Sequence, residues 1–327
     1  MSDSKEPFVD LSTIEAKEVD WLMPPLIPYG MITIMEGDPG VGKSYLAMHI
    51  AAQVSIGGTL PGVPKLRKGR VLYISAEDDP AYTIRPRIDA MGGDPQRIRI
   101  QADYTALDDD GLEQLMDEIR RKPPDLIIID PLFAYVPSNA DMYRPNVIRA
   151  LLSELKEAAE YDETAILLVR HLTKAKRDKA IYQGSGSMDV IGAARSAFLV
   201  AQHPDDPDLK IVAHVKHNIS ERGQSWVYEL VKQTEDGLPI LKWVGTSDLT
   251  IDDLMGQDDG DRKSALDQAI DLLREDLKDG PKLVATIEMK AQAKGIAKRT
   301  LDRARKELGV VPRKLKDGWM LSLPDDQ

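Results

Sequence analysis

Eight consecutive residues, Gly37-Asp38-Pro39-Gly40-Val41-Gly42-Lys43-Ser44, carry the strongest chemical signal in the sequence. They fit the pattern G-x-x-x-x-G-K-[ST], in which glycines let backbone N–H groups turn inward around phosphate oxygens. The apolar run Met31 to Met35 precedes them, and Leu46, Ala47, Ile50, Ala51 and Val54 follow on one face of a helical pattern. The loop therefore joins a strand to a helix, and the helix N-terminus adds a positive dipole end to the attraction for phosphate. In such a loop Lys43 meets the β and γ phosphates and the Ser44 hydroxyl reaches Mg²⁺. With Tyr45 directly behind, residues 37 to 45 are the expected nucleotide contact, and ATP and Mg²⁺ the expected cofactors.

Three polar residues fall at or just past the ends of later apolar runs, where open α/β sheets bind ligands. Asp130 ends Leu126-Ile127-Ile128-Ile129, the hydrophobic-then-acid pattern whose carboxylate holds the Mg²⁺ shell beside a phosphate loop. Glu77 ends Val71 to Ala76, where a carboxylate can orient and polarise the water that attacks a γ-phosphate. Asp78 and Asp79 fit better as acids at the start of the following helix, Ala81 to Met91. His171 follows Ala165 to Val169, where an imidazole can touch the γ-phosphate and report it to the next loop.

These residues need a scaffold that brings strand ends together. Strand patterns at Met31–Met35, Arg70–Ala76, Ile98–Gln101, Leu126–Ile129 and Ala165–Val169 alternate with helical patterns, the last three at 81–91, 107–121 and 144–161. Alternation of this kind requires crossovers and gives an α/β fold, a mostly parallel sheet with helices on both faces. After Arg170 the texture becomes Lys, Gly and Ser, then four apolar runs joined by turns, at 197–202, 210–215, 226–231 and 240–244, which read as antiparallel additions to one sheet edge. The reading divides the chain into a lead-in (1–30), an ATPase core (31–246), an acidic linker (247–264) and a small winged-helix-like unit (265–327).

Composition sets outer limits. Of 327 residues, 42% are hydrophobic and 30% charged, which suits a core with a well solvated surface. No apolar run reaches the roughly 18 residues of a membrane span, the acidic opening Met1 to Asp10 lacks an apolar signal stretch, and there is no Cys, so no membrane contact and a cytoplasmic location are expected. A formal net charge of −11 argues against a protein that coats DNA through its overall field, so any nucleic-acid contact must be local.

Gly37 to Ser44, Glu77, Asp130 and His171-Leu172-Thr173-Lys174 together resemble the RecA-like ATPases of the RepA and DnaB type, above all the RepA-like ATPases of plasmids, phages and integrated elements. Trp21-Leu22 and Pro28-Tyr29-Gly30 also resemble that group, and the likeness runs from about Trp21 to Val244. It implies a homo-oligomeric ring, usually hexameric, with ATP between neighbouring subunits and single-stranded DNA in the pore. A basic residue of the neighbour then completes the site. Arg195 is similar in position to the trans-acting arginine of the RepA-like members, and Lys216 resembles the lysine of the DnaB-type Lys-x-Arg pair. Asn218 stands where that pair has its arginine, so either Arg195 carries more of the contact or the ring contact is weaker than in a committed helicase.

Two basic segments are the expected DNA contacts. Lys174, Lys176, Arg177 and Lys179 surround one acid, Asp178, in the Gly/Ser-rich stretch that would line the pore. In the C-terminal unit, helical patterns at 265–278, 282–294 and 298–308 precede a hairpin turning at Asp317-Gly318. There Lys298, Arg299, Arg303, Arg305, Lys306, Arg313, Lys314 and Lys316 far outnumber the acids, which suits a recognition helix, with Lys298, Arg299 and Arg303, and a wing against duplex DNA or a contact for a replication protein, the other reading being a protein-docking or ring-stabilising module. The expectation is an Mg²⁺-dependent ATPase working on DNA, a replicative helicase or translocase of a mobile element. The alternative is an ATP-gated DNA-binding regulator that does not unwind.

Overall fold

The structure, a computed structural model, describes residues 8–135, 145–172, 188–255, 265–296, 298–315 and 318–324. The lead-in folds into the short antiparallel pair β1 (Trp21–Met23) and β2 (Ile27–Pro28), whose Leu22, Met23, Leu26 and Ile27 are buried. There follow β3 (Ile32–Gly37), α1 (Lys43–Ile56), β4 (Val71–Ser75), α2 (Arg85–Ala90), β5 (Ile98–Ile100), α3 (Asp109–Arg121), β6 (Leu126–Asp130), α4 (Pro145–Asp162), β7 (Ala165–His171) and α5 (Met188–Ala193). Next come β8 (Ser196–His203), β9 (Asp206–His217), β10 (Ser225–Lys232), β11 (Pro239–Ser247) and α6 (Ile251–Met255).

Nine of these strands form one sheet in the order β11-β10-β9-β8-β3-β7-β6-β4-β5. The six from β8 to β5 run parallel, and β9, β10 and β11 extend the β8 edge antiparallel, as the residue pattern predicts. The central strands read as continuous apolar runs because both faces are covered. Successive residues serve opposite cores. Met35, Ile128 and Leu167 face the cluster built on α1 and α2, while Ile34, Ile127 and Leu168 face the one built on α3, α4 and α5.

Two expected helices differ in detail. The segment after Glu77 is not one helix: Pro80–Ile84 forms a single wide π turn, and α2 begins only at Arg85. Pro86 has no N–H to give the carbonyl of Tyr82, so an α-helical ladder cannot run through it. Asp79 caps the wide turn, accepting from the N–H groups of Ala81 and Tyr82 at 2.8 Å each. The pattern at 282–294 begins as strand rather than helix.

Beyond the linker lie α7 (Ala265–Leu277), β12 (Lys282–Leu283), α8 (Val284–Ala293), α9 (Lys298–Glu307), β13 (Arg313–Leu315) and β14 (Gly318–Leu321). The three strands form a separate sheet in the order β12-β14-β13. Three helices and this sheet enclose their own core of Leu272, Leu273, Leu277, Ile287, Leu301 and Leu321. No described helix is long and apolar enough to cross a membrane.

The sheet edge also touches α1. Trp243 of β11 donates its indole N–H to His49 Nε2 at 3.2 Å, and burial lowers this imidazole from 6.5 to about 4. Burial likewise takes His214, beside Ser196, to about 4. Unfolded rings bind protons near pH 6.5 and the folded ones do not, so stability is lost as pH falls from 6.5 towards 4. The thermal midpoint should decline over that window, and His49→Gln, which keeps an acceptor for Trp243, should decline less between pH 6 and 4.5. Differential scanning fluorimetry at stepped pH checks this.

Candidate functional site

Four neighbouring strands, β3, β7, β6 and β4, end on the same side of the sheet. Register places Gly37 opposite His171 and Ser75 opposite Asp130, so the loop after β3, His171, Asp130 and Glu77 converge from separate parts of the sequence. Residues 38–40 are exposed, while Val41 packs on the core. Gly42 precedes α1 with φ 94°, in the left-handed region that glycine enters without a Cβ penalty. A Cβ on Gly37 would run into the carbonyl of Val200, so backbone contact with β8 excludes a side chain there. With no side-chain cap, the first-turn N–H groups of α1 are left for a ligand.

Lys43 is the hub. Its buried ammonium donates to the carbonyls of Gly37 and Asp38 at 2.8 Å each, and to His171 Nδ1 at 3.0 Å. An ammonium cannot accept, so Nδ1 is the unprotonated ring nitrogen and Nε2 carries the proton. That Nε2 lies 3.7 Å from Glu77 Oε1. Lysine, histidine and glutamate therefore form a line across the strand ends. Burial lowers the Lys43 pKa, and Asp130, Asp38 and Glu77 oppose the shift.

Asp130 is buried, and burial raises its pKa against the Ser44 and Tyr73 hydroxyls that hydrogen-bond it. Tyr73 donates to Oδ2 at 3.2 Å. Glu77 is exposed at the mouth, whereas Asp78 sits 3.6 Å from Arg87 and Asp79 caps the turn, so of the three acids Glu77 faces the lysine and histidine. Tyr45 lies under Arg87, whose guanidinium is 4.3 Å from the ring centroid.

Arg195 and Lys216 are placed elsewhere. The Arg195 N–H binds the carbonyl of Ile32, at the start of β3, five residues and about 16 Å from Gly37 along an extended strand. Lys216 is paired with Ala197 at that same far end and donates to the carbonyls of Ile191 (2.6 Å) and Gly192 (3.2 Å) in the last turn of α5. Burial lowers the Lys216 pKa, with the Arg195 charge adding to the effect. The two cations are neighbours of each other and remote from their own phosphate loop. Lys174, Lys176, Arg177 and Lys179 lie outside the described residues, as does the side chain of Arg299.

Several contacts were not foreseen from sequence. Glu36 and Arg170 form a fully buried ion pair, Nε to Oε1 at 2.8 Å, in the register positions just before Gly37 and His171. Tyr228 of β10, also buried, donates to the carbonyl of Gly42 at 3.3 Å. A single charged residue at the tail of each apolar run was visible, but their mutual contact depended on the β3–β7 register.

Residues 3–177 match the AAA domain family. The chain belongs to that family. The DNA repair protein RadA of Mycobacterium tuberculosis (strain CDC 1551 / Oshkosh) is 33% identical over 159 residues, covering 48% of this chain and 30% of that protein. RadA of Streptococcus pneumoniae (strain ATCC BAA-255 / R6) is 28% identical over 147 residues, 44% of this chain and 31% of that protein. RadA of Streptococcus pyogenes serotype M1 is 26% identical over 147 residues, 44% and 28% of the respective lengths. The chain thus spans under a third of these relatives.

The AAA domain here is a RecA-like P-loop ATPase fold, and its site residues suit magnesium nucleotide. Among the described residues no cluster of three or more His, Asp or Glu stands ready to hold a metal alone. Mg²⁺ commonly takes one or two protein oxygens and completes its shell with phosphate and water. The buried Asp130 carboxylate beside the Ser44 hydroxyl is a donor set of that kind.

Two stability measurements follow. Because burial favours the protonated form of Asp130 in the fold, its ionised form costs stability as pH rises through the carboxylate range. Asp130→Asn should raise the nucleotide-free melting temperature at pH 7.5 by about 2–4 °C per kcal/mol relieved, with the gain shrinking at acidic pH, while magnesium-dependent nucleotide binding falls. Arg170→Met strands Glu36 in the core and should destabilise by about 3–5 kcal/mol in denaturant titration, with much of the loss recovered in Glu36→Gln/Arg170→Met.

Proposed function

We propose that this chain hydrolyses ATP with Mg²⁺ as a homo-oligomer that does work on DNA. The observation that carries the reading is the separation of two clusters on one sheet. Lys43, His171, Glu77 and Asp130 gather at the carboxyl ends of the strands, and Arg195 and Lys216 sit together at the other end. In this reading the P-loop amides and Lys43 hold the β and γ phosphates, and Ser44 and Asp130 hold Mg²⁺, which neutralises phosphate charge. Glu77 orients the attacking water and His171, touching both Lys43 and Glu77, reads the γ-phosphate. Arg195, exposed and out of reach of its own loop, serves the site of a neighbouring subunit, with Lys216 beside it. A ring, hexameric as in RepA- and DnaB-type ATPases, satisfies that head-to-tail contact.

DNA as the object of the work is supported by the RadA relatives, named for DNA repair, and by the basic segment 174–179 that follows His171. We read the C-terminal unit as a winged helix, because its element order and its β12-β14-β13 sheet suit that module, and as a contact for DNA or a replication protein. The finer reading is a replicative helicase or translocase of a mobile element. Lys216 favours a second reading, an ATP-gated DNA-binding regulator, because its ammonium is already committed to α5.

ATP turnover by the purified chain separates these. Lys43→Ala should abolish it, Glu77→Gln should lower it about 10²–10⁴-fold while nucleotide still binds, and single-stranded DNA should stimulate the wild type. Mixing Arg195→Ala with Glu77→Gln protomers should recover activity that neither has alone. Slow turnover indifferent to DNA, with no recovery on mixing, would favour the regulator and remove the shared site.

A further inference from the structure

The third helix of the C-terminal unit commits part of its positive charge to internal contacts. Arg303 of α9 donates to the carbonyl of Asp205 in the β8–β9 turn at 3.0 Å, turning that face of the helix onto the ATPase core. Lys298 lies 3.2 Å from Glu288 and Arg305 2.9 Å from Asp302. Arg303 and Arg305 therefore serve internal contacts, while the side chain of Lys298 stays 73% exposed and Lys306 is exposed.

The hairpin is different. Trp319 and Leu321 share one face of β14, two residues apart; Leu321 is buried among the helices, while Trp319, one pleat nearer the tip, is 56% exposed. The other tryptophans of the chain, Trp21, Trp226 and Trp243, are all more covered. Lys314 of β13 is directly opposite Trp319, on the same face of the hairpin, and is exposed, while Arg313 is exposed on the other face. An indole left outside a core that accommodates its neighbour, with cations on the adjoining strand, combines a stacking surface with phosphate attraction.

We propose that Trp319 is a stacking platform for an unpaired base of single-stranded DNA, with Lys314 drawing in a flanking phosphate, so that the hairpin is a nucleic-acid contact of this unit. The occupant is single-stranded because a base inside a duplex has both faces covered by its neighbours. The proposal rests on the DNA-directed reading above and names where the strand is held.

The test uses the full chain, an oligothymidylate, and an abasic strand of equal length and charge. Oligothymidylate should quench an emission component that is missing in Trp319→Phe. Trp319→Ala should bind it about 5- to 150-fold more weakly, the range for losing one base–aromatic stack of about 1–3 kcal/mol, and Trp319→Phe should retain most of the affinity. The abasic strand should bind wild type and Trp319→Ala alike. Unchanged melting and DNA-independent ATP turnover in Trp319→Ala exclude misfolding. Oligothymidylate binding that is indifferent to Trp319 overturns this proposal alone. Failure of the wild-type chain to bind any strand overturns it together with the DNA-directed reading.

Discussion

The site depends first on one register, β3 against β7. Strand pairing places Gly37 beside His171, and the residue before each, Glu36 and Arg170, meets its partner in a fully buried ion pair. A slip by one residue would send both charges to unmatched positions and turn every apolar side chain of β3 to the wrong core. Hydrophobic residues of similar volume would often give equal or greater stability than a buried pair. What the charges add is an alignment that fails steeply when violated. That alignment sets the carbonyl of Gly37 and the imidazole of His171 at positions where one lysine ammonium binds both.

From that register the remaining geometry follows by adjacency. β6 lies beside β7 and β4 beside β6, so Asp130 and Glu77 reach the same edge without any local sequence relation to the loop. Tyr73 of β4 faces the Asp130 of its neighbour, and Tyr228 approaches Gly42 from the antiparallel side. The antiparallel strands thus contact the phosphate loop itself through a buried hydroxyl, and α1 through Trp243 and His49.

Much of this was legible in the amino-acid order because the strongest signals are local. The loop pattern needs eight neighbouring residues, and continuous apolar runs alternating with amphipathic ones need two covered faces of a parallel sheet. Asp130 and Glu77 were legible for the same reason, each ending a run. Relations between segments were not. Glu36 and Arg170 each look like a charge that closes a strand, and only the register makes them a pair. Lys216 looks like a free cation until the last turn of α5 is seen beneath it. The wide turn after Asp79 was readable in principle, since Pro86 forbids the ladder through Tyr82.

Charge shows most clearly how composition can mislead. A net −11 says that the whole surface repels a polyanion, and a basic C-terminal stretch says that one region attracts it. Neither statement locates the attraction, because an arginine bound to a carbonyl or a lysine beside a glutamate presents little field to a partner. Arg303 and Lys298 are in that position, and the β13–β14 hairpin is where cations and an uncovered aromatic surface coincide. The better guide is which cations the fold leaves without internal work, and that can be read only once the packing is known.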